Sequence, residues 1–91
     1  DNWWLVGVAA DIDAAKQNTA LAPVAATFET WRIDLSATGV ATFYRNGTVI
    51  GAAMAGALTP SVALTPVIAA FSRGAVSRNI DTDYILLQAQ R

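Results

Sequence analysis

The sequence contains no cysteine and no histidine. The first absence removes disulfides and thiolate metal sites, and it leaves the redox compartment open. The second removes the usual nucleophile–histidine arrangements and imidazole ligands. Charge is also scarce: 14% of the residues are charged, against about 25% in an ordinary domain. The basic residues Lys16, Arg32, Arg45, Arg73, Arg78 and Arg91 stand singly. No basic patch supports nucleic-acid binding, and no basic amphipathic stretch suits a membrane surface. No apolar run reaches the roughly 18 residues that span a bilayer, because Pro23, Pro60 and Pro66 break the alanine-rich runs. No signal-peptide layout is visible. Nucleic acid and membrane are therefore not among the expected partners.

Apolar residues, in contrast, make up 54% of the 91 positions. A chain of this length is one domain or part of one, and it removes only about 60–65% of its unfolded surface from water. There is more apolar surface than so small a domain can hide. Either the chain is a piece of a larger domain or it buries surface against other subunits. The start at Asp1 rather than Met fits a fragment or a processed chain.

The clearest local signal is Val40-Ala-Thr-Phe-Tyr-Arg-Asn-Gly-Thr-Val-Ile-Gly-Ala53. Asn46-Gly47 is the pair that best tolerates positive φ at both centres of a type I′ turn. The flanking runs are β-branched and aromatic, as strands prefer. A two-residue loop then pairs Arg45 with Thr48, Tyr44 with Val49, Phe43 with Ile50 and Ala41 with Ala52. Ala41, Phe43, Ile50 and Ala52 form the expected core face. Val40, Thr42, Tyr44, Val49 and Ala53 form the other.

Around this hairpin the pattern is that of further strands. Residues 2–10 are an almost continuous apolar run with Trp3 and Trp4, which predicts a strand covered on both faces. Residues 11–26 predict a loop with a short strand or one helical turn capped by Asp11. Residues 28–36 alternate, with Trp31, Ile33 and Leu35 on one face and Thr30, Arg32, Asp34 and Ser36 on the other. Residues 54–61 and 74–78 predict loops. Residues 66–73 and 80–90 predict the last two strands, Pro66 standing at a strand start where proline is tolerated. About six strands at this spacing predict an all-β antiparallel sandwich.

Three stretches, Thr30-Trp-Arg-Ile-Asp-Leu35, Phe43-Tyr-Arg-Asn-Gly-Thr-Val-Ile50 and Ile80-Asp-Thr-Asp-Tyr-Ile85, occur in the order and spacing of landmarks in concanavalin A-like, laminin-G-like jelly rolls. Residues 28–91 thus resemble the C-terminal half of such a domain. The alanine and threonine-proline flavour is similar to modules of bacteriophage structural proteins such as tail fibres and head decorations. The resemblance implies a jelly-roll-like β-sandwich in a virion or extracellular setting, with copies of itself, neighbouring virion subunits or glycans as partners. Family members are longer than this chain. It therefore also implies an incomplete sandwich, whose open edges pair with a further segment or a neighbouring subunit.

Candidate chemistry is thin. Glycosidases of the related fold carry paired carboxylates on one strand face, whereas this chain has one glutamate, Glu29, and Asp34 lies five positions away, on the opposite face of a regular strand. No catalytic residue is expected. No cofactor is expected beyond calcium, for which Asp11 with Asp13 and Asp81 with Asp83 are the candidate ligands; solvated carboxylates are the plainer account of both pairs. Asn46-Gly47-Thr48 matches a glycosylation sequon, but the turn explains it. Tyr44 and Trp4 are the candidate sugar-stacking platforms, while Trp31 is expected in the core. The expected function is a non-catalytic structural and interaction module. A carbohydrate-binding module is the alternative, and a glycosidase fragment comes third.

Overall fold

The structure, a computed structural model, describes residues 1–71, 74–77 and 79–89. Among these residues there is no helix, and the fold is all-β and antiparallel. Seven short strands occur: β1 (Trp4–Leu5), β2 (Val8–Ala9), β3 (Ile12–Asp13), β4 (Gln17–Asn18), β5 (Trp31–Leu35), β6 (Ala41–Arg45) and β7 (Thr48–Met54). They form three small sheets, β1–β4, β2–β3 and β5–β6–β7. A complete sandwich would need two broad sheets in their place.

The first four strands are one bent hairpin. Trp4 pairs with Asn18 and Leu5 with Gln17, and then Val8 pairs with Asp13 and Ala9 with Ile12. The Ala14 amide donates to the Gly7 carbonyl (2.9 Å) at the bend between them. The run over residues 2–10 is therefore two strands rather than one. It is not covered on both faces, since Trp4, Val6 and Val8 are exposed while Leu5 is buried. Asp11 caps no helix. Ala10 (φ 50°) and Asp11 (φ 62°) are the two left-handed centres of the tight turn between β2 and β3. Alanine is a poor residue there, because its Cβ crowds the following carbonyl at a cost of about 1–2 kcal/mol. Replacing Ala10 by Asn and Asp11 by Gly together is expected to stabilise the protein by about 1–2 kcal/mol. A thermal midpoint that stays put or falls would contradict this turn.

The second hairpin follows the sequence closely at its tip. Asn46 and Gly47 have φ of 50° and 81°, and Arg45, Tyr44 and Phe43 face Thr48, Val49 and Ile50. Asn46 also ties down the neighbouring strand. Its side-chain oxygen accepts from the Thr30 amide (2.9 Å) and its own amide donates to the Thr30 carbonyl (2.8 Å). Beyond Ile50 the register departs from expectation: Ala41 faces Met54, not Ala52. A bulge in β7 absorbs the difference, and Gln17 fills it from the first hairpin. Its amide nitrogen donates to the Ala52 carbonyl (3.0 Å) and its amide oxygen accepts from the Ala52 N–H (2.8 Å). Gly51 lies against this bridge, where an added Cβ would meet the Gln17 oxygen at 2.4 Å and Leu5 at 2.8 Å.

The core is small. Leu5, Ala41, Phe43, Met54 and Ala57 are buried, with Ala14, Trp31 and Ile50 packed around them. Met54 and Ala57 come from the stretch expected as a loop. Ile33 and Leu35, expected inside, are 57% and 50% exposed, because among the described residues no second layer covers that part of β5. The strands expected at 66–73 and 80–90 do not form among the described residues; Ser72, Arg73 and Gln90 lie outside them. The described residues of both stretches are exposed instead.

Candidate functional site

The densest polar cluster joins the two hairpins. Arg45 ends β6 on the same face as Phe43 and Ala41, opposite Trp31. A guanidinium on an apolar face needs a counter-charge. Glu29, two residues before β5, supplies it through an ion pair with the Arg45 guanidinium. The Glu29 side chain is 7% exposed and that of Arg45 21%. The Trp31 indole N–H donates to the other carboxylate oxygen (3.2 Å). Trp3, from the first hairpin, packs on Trp31 with ring centroids 4.9 Å apart and planes tilted by 59°.

These contacts set the charge state. The hydrogen bond and the charge of Arg45 hold the Glu29 carboxyl below its ordinary range, against burial, which acts the other way. The Trp31 indole adds to the lowering. In return, Glu29 raises the Arg45 guanidinium further above its already high range. A general acid needs a carboxyl raised towards neutral pH; Glu29 is shifted the opposite way. Two atoms of the cluster, Trp3 Nε1 and Arg45 Nε, are buried without a hydrogen-bond partner. The cluster thus fastens the N-terminal hairpin to the three-stranded sheet and leaves some polar capacity unused.

The residues singled out from sequence are scattered around this cluster. Tyr44 lies on the opposite face of β6, half-buried, with the Arg32 guanidinium 3.7 Å from its ring centroid. That stacking occupies one face of the ring. Arg32 also pairs with Asp34 (3.1 Å) at an exposed position. Trp4 is 51% exposed in the other hairpin, with Lys16 Nζ 5.8 Å from its ring. Trp4 and Tyr44 therefore belong to different sheets, each with a cation of its own. Asp11 sits in the β2–β3 turn and Asp13 in β3, whereas Asp81 and Asp83 lie in the exposed stretch that follows residue 79. Among the described residues no three acidic side chains gather as a metal site would require.

Compared with family models, with curated proteins and with solved structures, the chain finds no match. What it does must be argued from its own surface.

Weighed as a catalytic carboxylate from the sequence, Glu29 is instead the partner of Arg45. Its signal was Arg45, the one charge on a face otherwise made of Ala41, Phe43 and Ile50. Pairing Arg45 with Trp31 across the hairpin brings the lone glutamate of the chain into diagonal reach.

Proposed function

We propose that this chain is a non-catalytic structural and interaction module that completes its fold against other polypeptide. The observation that carries this is surface area. A compact protein of 9.6 kDa exposes about 5,100 Å², whereas this chain exposes 7655 Å². The excess of roughly 2,500 Å² is what a large obligate interface buries. It is also apolar: at least twenty large hydrophobic residues are exposed among the described ones, against three buried, Leu5, Phe43 and Met54. Phe71 is 87% exposed and Leu86 71%, and surface of this kind marks an interface.

The setting we read for it is a virus particle, as a tail-fibre or head-decoration component, with copies of itself or neighbouring virion subunits as partners. The resemblance of 30–35, 43–50 and 80–85 to jelly-roll landmarks supports that setting, and the sheets are then part of an incomplete antiparallel sandwich. Carbohydrate binding, the second reading, draws support from the exposed Trp4 ring. The Arg32 guanidinium over Tyr44 weakens the other half of that platform.

Denatured and native mass, measured side by side, test the proposal. The native mass is expected to be a multiple of the denatured mass. A folded monomer of 9.6 kDa would overturn it.

A further inference from the structure

The sheet β5–β6–β7 has two outer strands, and they end differently. On β7, the Gln17 amide takes both backbone groups of Ala52. β5 pairs with β6 alone, and among the described residues no strand pairs with its outer edge. An open edge flanked by exposed Ile33 and Leu35 is a template for another strand.

The chain carries a strand without a sheet. From Ile80 onward, Ile80, Thr82, Tyr84 and Leu86 alternate with Asp81, Asp83, Ile85 and Leu87, the period of a strand. This stretch forms no strand in the structure, and Tyr84 and Leu86 are 67% and 71% exposed. The linking residues 55–78 can extend to roughly 80 Å, beyond the 38 Å long axis of the molecule. Reach therefore does not keep the segment from the edge in its own chain, yet among the described residues no strand pairs there.

We infer that residues 80–89 of one copy add as a strand to the β5 edge of a second copy, and that the exchange is reciprocal. Facing residues in a ladder share a side of the sheet. Laying Thr82, Tyr84 and Leu86 beside Leu35, Ile33 and Trp31 therefore puts Asp81 and Asp83, with Ile85 and Leu87, on the side of Arg32. Apolar side chains cover the exposed half of β5, and two carboxylates approach an exposed guanidinium. A reciprocal exchange is two-fold and closes on itself. This inference rests on the assembly reading above and names the segment and the edge that serve it.

The test uses the full chain and two probes. Tyr84→Pro removes an amide donor and fixes φ in a segment that takes no part in the protomer's sheets, so it blocks strand addition and leaves the protomer folded. Since the chain has no cysteine, Ile33→Cys and Tyr84→Cys chains can be mixed and oxidised without side reactions. The expected result is a native multimer that falls to protomer mass in Tyr84→Pro with an unchanged circular dichroism spectrum, and a disulfide between the two differently substituted chains. A multimer that survives Tyr84→Pro overturns the exchange and leaves the assembly reading standing. A disulfide confined within single chains of an Ile33→Cys, Tyr84→Cys double variant also overturns it, by placing the segment on its own edge. A monomeric unaltered chain overturns both.

Discussion

Gly39→Ala is expected to destabilise the protein by about 3 kcal/mol and to lower the thermal midpoint by roughly 15 °C. Gly39 has φ of +80°, a conformation that L side chains rarely adopt. An added Cβ would stand 2.4 Å from the Leu58 carbonyl oxygen. That oxygen is backbone, so no rotamer change relieves the clash. The Gly39 carbonyl also accepts the Ala57 amide (3.0 Å), and Ala57 belongs to the buried cluster. Moving Gly39 away from Leu58 would pull on this bond and open the core. Total stability of a domain this size is of order 5–10 kcal/mol, so the loss would be a large share of it. Thermal unfolding followed by circular dichroism reads the effect. A midpoint within a degree or two of the unaltered protein's would mean that the stretch after Met54 is not seated on the β5–β6 turn.

Glu29→Gln is expected to lower stability at neutral pH and to flatten its dependence on acid. The carboxyl's folded value lies below its ordinary 4.5. Its stabilisation is thus fully present above that ordinary value, and it drains away as pH falls through the lower folded value. The variant has no such group and should show no such limb, while its Arg45 keeps a neutral amide in place of a counter-charge. The exposed Arg32–Asp34 pair offers the contrast, because exposed pairs contribute about 0–1 kcal/mol. Asp34→Asn should therefore leave the midpoint at neutral pH nearly unchanged. Urea midpoints taken from neutral pH downwards distinguish the two. An acid limb that persists in Glu29→Gln would show that another carboxylate carries it.

Local signals told most where the chemistry was local. Asn46-Gly47 dictates a turn by itself, and the alternation from Trp31 to Leu35 dictates a strand beside it. Both occur in the structure, with the facing residues expected at the tip. The bulge was less visible. Its trace was Gly51, an interior glycine in a strand, where a close approach is a common cause. The short strand allowed within residues 11–26 is present, as β3 and β4, but its pairing with β1 and β2 was hidden for a different reason. Ala10-Asp11 lacks the usual turn chemistry, and Lys16, Gln17 and Asn18 are poor strand formers. Pairing with Trp4 and Leu5 forms β4, supported by the Thr19 hydroxyl on the Trp3 carbonyl (2.9 Å). The alternation after residue 79 describes side chains, whereas a strand also needs a neighbour, and periodicity names none. The ion pair escaped because Glu29 was weighed against Asp34 as a catalytic partner rather than against Arg45 as a counter-charge.

The Gln17 bridge bears on how many subunits an assembly can hold. A sheet free at both ends can be extended without limit, and chains that add to one another head to tail make filaments. Here a side-chain amide mimics a short length of neighbouring backbone and occupies part of one end. On the exchange proposed above, each molecule is left with a single acceptor, and growth ends because the reciprocal pairing uses the donor and the acceptor of both copies. The glutamine that blocks this end lies sixty residues and more away in sequence from the segment proposed to fill the other.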